Sequence, residues 1–265
     1  MSAAISYEDQ LGNSITLDRT PLTIVSLVPS ITELLIDLGL RQELVGCTKF
    51  CVHPAGLKNE ITVIGGTKTV HIERILALKP DLVIANKEEN DRETIIKLQK
   101  ETNVWVSQIK TLNDAHQMIT AIGEMTNTQD RANEIREEQL AMIKSIDKSH
   151  GRVAYLIWQD PWMTVGGDTY ISDMLEHVGF TNAFKHLTRY PSVDIERLGS
   201  ADLDMIFLSS EPFPFSEEHR INLQKDQPDT LVRLVDGEFF SWYGTRILHK
   251  PNYLISPLFQ EPSHN

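Results

Sequence analysis

Short apolar runs alternate with stretches of helical periodicity along most of this chain. Helical spacing, with apolar residues three and four positions apart, is clear in ITELLIDLG and YISDMLEHVG. A hairpin is predicted near the amino terminus, where ISYEDQLGNSITL alternates around Gly12 and Asn13. Buried strands are predicted at LTIVSLV, LVGCT, DLVIA, VWVSQI, RVAYLIW, DMIFLSS and TLVRLVDG. This order of elements is typical of α/β layers with mostly parallel central sheets.

One phrase of the sequence occurs twice. VHIERILALKPDLVI at 70–84 and VDIERLGSADLDMIF at 193–207 align at an offset of 123 residues, with five identities in fifteen positions. Upstream, ELLIDLGL at 33–40 resembles DMLEHVGF at 173–180, and each contains a Gly suited to a left-handed helix cap. The chain is therefore expected to contain two similar α/β lobes.

A long charged segment separates the two copies. Its apolar residues recur at helical spacing and it contains neither Gly nor Pro, which predicts one helix of roughly 30 Å that joins the lobes as a strut. The apolar positions are Ala132, Ile135, Leu140, Ile143 and Ile146. The predicted domains are an amino-terminal lobe at 1–126, a connecting helix at 127–149 and a carboxyl-terminal lobe at 150–265.

Composition excludes several classes of function. The 265 residues carry a formal net charge of −12, whereas nucleic-acid binding requires clustered Lys and Arg, so a nucleic-acid partner is not expected. The chain contains no apolar run of about 18 residues that would span a bilayer. Its first residues lack the basic start and apolar stretch of a secretory signal.

Several motifs together resemble a known family. TIVSLVPSITELLIDLGL, ELVGCTKFCVHP, GGTKTVHIERILALKPDLVIA and GGDTYISDMLEHVGFTNAF are similar to the helical-backbone substrate-binding proteins of ABC importers, a TroA-like class. The likeness covers nearly the whole chain and is strongest to the cobalamin-binding branch. It implies two α/β lobes joined by one long helix, with a ligand cleft between them. Cobalamin is the implied ligand, with haem or a ferric siderophore as alternatives, and none is a catalytic cofactor.

The resemblance also implies a partner and a place in the cell. The expected partner is a permease dimer in the membrane, and the receptor itself is expected to be a monomer. Family membership implies the periplasmic or extracytoplasmic side of the membrane. If the chain is full length, however, the missing signal makes it cytoplasmic, and a cytosolic carrier or sensor on the same fold is the alternative.

Two repeated glutamates are candidates for contact with the permease. In the family, one glutamate on each lobe docks onto the permease, and the matching positions are Glu73 and Glu196. The alternative is local, because a carboxylate in the first turn of any helix is stabilised by the helix dipole.

The candidate ligand-contacting residues lie mainly in the second lobe. From strand to helix-ending Gly, this lobe is twelve residues longer (Val25 to Gly39 against Val153 to Gly179), and two tryptophans in the extra loop suit a flat, largely apolar ligand. Alternatively these tryptophans cover a core. The loop contributes Trp158, Asp160, Trp162, Gly166, Gly167 and Asp168, while Phe50, Trp242 and Tyr243 match aromatic positions of the cobalamin-binding branch.

The first lobe departs from that branch. Thr67 stands where the branch has an aromatic residue, and Lys68 follows it. Lys68, Lys87 and Arg189 are therefore candidates for holding an anionic tetrapyrrole or chelate, although each is also compatible with a solvated loop.

The segment CTKFCVHP contains soft metal ligands. Cys51 or His53 is a candidate axial ligand of bound cobalt or iron, but the spacing lacks the paired CxxC of a zinc site. Cys47 and Cys51 are too few for a disulfide scaffold, and the sequence does not decide whether they pair. His71 is predicted to start a helix, because its counterpart in the repeat is Asp194, a good N-cap residue.

Catalysis is the rival class of function. The sequence contains none of the GxSxG, Walker, HExxH or GxGxxG motifs. Paired acids such as Asp160 and Asp168 suit acid–base chemistry only if the fold brings them together. We therefore expect a binding protein and not an enzyme.

Overall fold

The computed structural model describes residues 4–146, 150–199 and 201–253. By their contacts, the described residues form two compact units. Unit 1 contains the described residues within 1–109, 113–137 and 243–245, and unit 2 contains those within 110–112, 138–242 and 246–265.

The predicted amino-terminal hairpin is confirmed. Strands β1 (Ile5–Glu8) and β2 (Ser14–Leu17) pair antiparallel. The Asp9 carboxylate accepts hydrogen bonds from the backbone N–H groups of Leu11 and Asn13 and thereby holds the turn closed. Gly12 has a φ of 83°, a conformation that glycine adopts without strain.

Unit 1 contains a five-stranded sheet in which every strand is parallel. The strand order is β5-β4-β3-β6-β7. The strands are β3 (Ile24–Ser26), β4 (Leu44–Cys47), β5 (Thr62–Val63), β6 (Leu82–Asn86) and β7 (Val104–Ser107). The helices are α1 (Pro29–Asp37), α2 (Ile72–Ala77), α3 (Arg92–Leu98), α4 (Leu112–Thr126), whose first residue belongs to unit 2, and α5 (Gln129–Lys144), which passes from unit 1 into unit 2.

Unit 2 contains a second five-stranded sheet. Four parallel strands follow the order β10-β8-β11-β12, and the short β9 pairs antiparallel with β8. The strands are β8 (Gly151–Trp158), β9 (Met163–Thr164), β10 (Phe180–Asn182), β11 (Met205–Ser209) and β12 (Leu231–Val235). The helices are α6 (Tyr170–His177), α7 (Ile195–Gly199), α8 (Glu217–Asp226) and α9 (Gly237–Ser241).

The internal repeat is a repeat of structure as well as of sequence. Helices α2 and α7 begin 123 residues apart, and β6 and β11 begin and end 123 residues apart. Around them, β4-β3-β6-β7 in unit 1 corresponds to β10-β8-β11-β12 in unit 2. Gly39 and Gly179 have φ values of 86° and 92°, which confirms the predicted left-handed caps after α1 and α6. Each unit therefore contains the same arrangement of four parallel strands, which we call the frame.

Helix α5 is shorter than the predicted segment 127–149. Asn127 has a φ of 59° and separates α4 from α5, so only 16 residues are helical, about 24 Å. Residues 147–149 lie outside the described residues. Ala132, Ile135 and Ile143 are buried as expected.

The apolar face of α5 differs from the prediction at one position. Leu140 is 36% exposed, whereas the neighbouring Gln139 is 2% exposed. An α-helix completes one turn every 3.6 residues, so positions 132, 135, 139 and 143 lie on one continuous face and position 140 lies beside that face.

The two sheets have separate apolar cores. The unit 1 core contains Val25, Leu27, Ile64, Ile75, Val83, Ala85, Leu98 and Val104, and the unit 2 core contains Ala154, Leu156, Phe184, Leu198, Ile206, Leu208 and Leu223.

None of the described helices is both long and apolar enough to cross a membrane.

Candidate functional site

Four aromatic rings gather where β8 and β11 end in unit 2. Trp158 meets Phe213 edge to face, with ring centroids 5.4 Å apart. Trp162 stacks on Phe215 at 5.9 Å with an interplanar angle of 6°, and the two phenylalanine rings lie 4.6 Å apart. We call Trp158, Trp162, Phe213 and Phe215 the aromatic cluster. It lies at the carboxyl ends of parallel strands, where open α/β sheets bind ligands.

The two tryptophans of the aromatic cluster differ in burial. Trp162 packs against the unit 2 core, and its carbonyl accepts a hydrogen bond from the Val193 N–H. Trp158 is 40% exposed. The alternative that tryptophans cover a core therefore fits Trp162, whereas Trp158 keeps ring surface that a ligand can cover.

The predicted glycine pair allows two backbone segments to approach closely. The N–H groups of Gly166 and Gly167 donate to the carbonyls of Arg189 and Leu187. A Cβ at Gly166 would lie 2.5 Å from the Leu187 oxygen, and a Cβ at Gly167 would lie 2.2 Å from the Lys185 oxygen. The structure thus gives both glycines a packing function, and ligand contact by them stays a prediction.

Asp168 and Arg189 meet through the backbone. The Asp168 carboxylate accepts a hydrogen bond from the Arg189 N–H at 2.5 Å, which fixes the loop around Arg189. The Arg189 guanidinium lies 5.7 Å from the centroid of the Tyr190 ring, and both side chains are exposed. Asp160 lies in the turn between β8 and β9, is exposed and has a φ of 60°.

The indole of Trp242 is held at its edge and on its face. Its Nε1–H donates to Glu211 Oε1 at 3.0 Å, and Ser241 Oγ donates to the same oxygen at 2.7 Å. The Arg246 guanidinium lies 5.0 Å from the ring centroid. The next residue, Tyr243, belongs to unit 1 and is buried.

Glu211 is a half-buried acid. Burial raises the pKa of its carboxyl above the ordinary value, and the carboxylates of Glu238 and Asp236 raise it further. The hydrogen bonds from Ser241 and Trp242 act in the opposite direction because they stabilise the charged form.

The corresponding loops of unit 1 are polar and internally hydrogen-bonded. Asn90 donates to the carbonyls of Leu27 and Thr67, at 3.1 and 3.0 Å, and its Oδ1 accepts from the Asn86 N–H. Asn86 in turn donates to Ser107 Oγ. Thr67 is therefore held through its carbonyl at the carboxyl edge of the sheet.

The candidate residues of unit 1 lie around this loop. Phe50 is 51% exposed, and the Lys49 ammonium lies 5.0 Å from its ring centroid. Lys68 donates to the carbonyl of Glu88, and Lys87 donates to Gln108 Oε1 at 2.8 Å. Both lysines thus have acceptors within unit 1.

Cys51 is buried away from any open surface. Its sulfur lies 3.2 Å from Thr32 Oγ1 and 3.4 Å from Thr48 Oγ1, and it is 1% exposed. Cys47 and Cys51 are free thiols, and a hydrogen bond from Cys47 lowers the pKa of Cys51 to about 6 while the pKa of Cys47 rises. His53 is half-buried. Among the described residues, no three His, Cys, Asp or Glu side chains form a group that could hold a metal ion.

The two repeated glutamates lie in equivalent positions. Glu73 is in the first turn of α2 and Glu196 in the first turn of α7, and both side chains are exposed. His71 occupies the N-cap of α2, as predicted, although its side chain makes no capping hydrogen bond. The geometry is compatible with docking and with simple stabilisation by the helix dipole.

Comparison with known proteins identifies the family. The periplasmic binding protein family model matches residues 24–231, which span the strands of both units from β3 to the start of β12. The chain belongs to the periplasmic binding protein family. An uncharacterized ABC transporter substrate-binding lipoprotein, YvrC of Bacillus subtilis, is 26% identical over 215 residues, covering 76% of this chain and 68% of the relative.

Two further similar proteins are named for the ligand that they bind. The vitamin B12-binding protein of Vibrio parahaemolyticus is 27% identical over 217 residues, covering 79% of this chain and 78% of that protein. The crystal structure of the periplasmic vitamin B12 binding protein BtuF of Vibrio cholerae matches with a TM-score of 0.76 and 24% identity, covering 92% of this chain and 99% of that one. The predicted fold class is confirmed.

Three residues of the unit 2 candidate site were not predicted from the sequence. The segment SSEPFPFSE, at the end of β11 and beyond it, contains Glu211, Phe213 and Phe215. Its prolines are typical of a loop, and the sequence alone gives no sign of a ligand-binding role. The repeat could have pointed to Glu211 and Phe213, because NKEEN at the end of β6 aligns with SSEPF at the same offset of 123 residues; Phe215 lies beyond that alignment.

Proposed function

We propose that this chain is the cobalamin receptor of an ABC importer. The observation that carries the proposal is the aromatic cluster, together with Trp242, at the carboxyl edge of the unit 2 sheet. A corrin macrocycle is broad and largely apolar on its faces, so aromatic side chains can cover it with little loss of conformational entropy. Relatives named vitamin B12-binding proteins support the same ligand.

The unit 1 loops favour a ligand without net negative charge near the lysines. Lys68 and Lys87 already donate to acceptors of their own unit, so an anionic ligand would have to displace those bonds. The amide groups at the rim of a corrin can instead share hydrogen bonds with polar loops such as that of Thr67. Haem is the second ligand to test, since the exposed guanidinium of Arg189 carries the charge that complements a propionate.

Calorimetry tests the ligand directly. Calorimetric titration with cyanocobalamin does not depend on tryptophan fluorescence. That signal would be distorted because corrins and porphyrins absorb the light that excites indoles. We expect saturable one-to-one binding that weakens about 30-fold in Trp158→Ala, since exposed aromatic anchors carry much of the energy of such contacts. Trp105→Phe is the control, because that indole is buried in unit 1 and donates to Glu8.

The comparison ligands decide between related functions. Hemin and a ferric siderophore are titrated under the same conditions. Saturation by hemin alone would keep the receptor and replace its ligand. Failure of all three to bind would contradict the proposal and favour the sensor or the enzyme.

Delivery to a permease is proposed to use Glu73 and Glu196. Both carboxylates are exposed at equivalent positions of a duplicated frame, which suits a partner with two similar halves. We expect Glu73→Gln with Glu196→Gln to abolish uptake in vesicles that contain the host's importer, while cobalamin affinity stays within twofold.

Glu93 supplies the matched control for docking. It is an exposed first-turn glutamate of α3, so Glu93→Gln removes the same helix-dipole interaction outside the repeat. Unimpaired uptake by the double variant, or equal loss with Glu93→Gln, would contradict docking.

We also propose that the chain works outside the cytoplasm and releases its ligand unchanged. The Bacillus relative is a lipoprotein and the Vibrio structure is periplasmic, which supports this place. Fractionation of the native host, with the chain found only in the cytosol, would contradict it. A changed mass of cobalamin after release would indicate an enzyme.

A further inference from the structure

The loop after β11 and the end of α9 meet at a single carboxylate oxygen. Glu211 Oε1 accepts from the Trp242 indole at 3.0 Å and from Ser241 Oγ at 2.7 Å. Ser241 is the last residue of α9, and Trp242 is its C-cap. The carboxylate therefore holds both the last residue of α9 and the indole of the residue that follows it.

Glu211 is itself held by short contacts. Ser209 Oγ donates to the Glu211 carbonyl at 2.6 Å, and Tyr155 donates to the same Ser209 hydroxyl at 3.0 Å. Gly237 lets the side chain pass, because a Cβ there would lie 2.5 Å from Glu211 Cγ. A half-buried acid held in this way can orient another group without moving.

The face of the indole is also in contact with a charged side chain. Arg246 is 4% exposed and its guanidinium lies 5.0 Å from the Trp242 ring centroid. An ion pair with Glu238, at 3.6 Å, keeps that guanidinium in place. Of these two contacts, the one with Glu211 also links the ring to the loop that carries Phe213.

We propose that Glu211 is a positioning residue that orients Trp242 and ties it to the aromatic cluster for ligand binding. This inference rests on the proposed function only where it concerns affinity. Orientation of the indole is a property of the ligand-free chain. The required feature is an acceptor oxygen at this position, because the indole N–H can only donate.

Three variants of the full chain separate this role from a general effect on folding. Glu211→Gln keeps an acceptor oxygen in a side chain of the same shape. Glu211→Met keeps the volume and removes the acceptor. Glu88→Met is the matched control, since Glu88 occupies the equivalent position of the repeat in unit 1.

The first readout needs no ligand. Tryptophan labelled with ¹⁵N gives one indole N–H signal for each of the four tryptophans, and Trp242→Phe assigns the one of interest. We expect Glu211→Met to move that signal and to speed its exchange with solvent about tenfold, the loss of one hydrogen bond. Glu211→Gln and Glu88→Met should leave it in place.

The second readout is the affinity for cyanocobalamin by calorimetry. We expect it to fall about tenfold in Glu211→Met, to change less than twofold in Glu211→Gln, and to fall no further when Trp242→Phe is added to Glu211→Met. An equal fall with Glu88→Met would overturn the positioning role in binding.

The two readouts fail separately. An unchanged Trp242 signal in Glu211→Met overturns the inference whatever the ligand. A signal that moves as far in Glu211→Gln as in Glu211→Met overturns the acceptor role. If the unmodified chain binds none of cyanocobalamin, hemin and the ferric siderophore, the proposed function fails together with the affinity claim, and the indole signal alone decides the orientation claim.

Discussion

Units 1 and 2 share a frame and differ where its strands end. Asn90 of unit 1 and Phe213 of unit 2 occupy equivalent positions, 123 residues apart. Asn90 ties two loop carbonyls together, whereas Phe213 packs its ring against Trp158 and Phe215. One position thus serves a polar network in one unit and an aromatic surface in the other.

This difference shows which part of a duplicated fold is free to diverge. The frame depends on apolar periodicity, which many sequences satisfy, and on a few glycine caps. The carboxyl-terminal loops lie outside the core, so their side chains can change from polar to aromatic without disturbing the strands. Ligand chemistry is expected in these loops for the same reason.

The largest expected difference is in the free energy of unfolding when the second glycine of each pair, Gly167 in unit 2 or Gly66 in unit 1, is replaced by alanine. Gly167→Ala should lower the free energy of unfolding by about 3 kcal/mol, because its Cβ would meet the Lys185 backbone oxygen at 2.2 Å. Gly66→Ala in unit 1 should cost less than about 1 kcal/mol, since its nearest atoms, at 3.1 to 3.4 Å, belong to side chains that can rotate. Urea unfolding measures both. Equal costs would show that the approach of 185–189 to Gly167 is not essential.

A smaller effect is expected at the equivalent pair Asn90 and Phe213. Asn90→Leu should cost about 2 kcal/mol of unfolding free energy, because it leaves the Asn86 N–H and the carbonyls of Leu27 and Thr67 without their bonds. Phe213→Leu should cost about 1 kcal/mol, as its ring is only partly buried, and should weaken cobalamin binding more than Asn90→Leu does. The reverse order of affinities would place the ligand on the polar loops of unit 1.

The smallest effect is a pH dependence in unit 2. A carboxyl whose pKa is raised by folding contributes stability below its unfolded pKa, about 4.3 for Glu, and loses that contribution as pH rises through the folded value. Burial raises the pKa of Glu211, so Glu211→Gln should gain stability relative to the unmodified chain as the pH rises above about 4.3, the unfolded pKa of Glu. Glu88→Gln in unit 1 is the control. Urea midpoints that stay parallel with pH would contradict this sign.

The strands and the repeat were predictable because their signal is local. Apolar runs of strand length predicted β3, β6, β8 and β11, and the repeated phrase predicted that α2 and α7 are equivalent. The two-residue strands β5 and β9 carry no such signal, since they are stabilised by the strands beside them.

The candidate residues were less predictable. Trp158 was chosen for its residue type, and the structure leaves its ring 40% exposed. Gly166 and Gly167 were chosen as candidate ligand contacts, and the structure shows that they are required by a neighbouring backbone segment about twenty residues further along the chain. Contacts of that kind cannot be recognised from spacing.

By itself the sequence determined a duplicated α/β frame, the ends of its central strands and the positions of Glu73 and Glu196, because periodicity and repetition are properties of neighbouring residues. Only the tertiary structure decided that Phe213 and Phe215 join the tryptophans and that Glu211 holds Trp242. It also decided that Lys68 and Lys87 bond within their own unit. These contacts join residues that are far apart in sequence, so they exist only once parallel strands have brought their carboxyl ends to one edge.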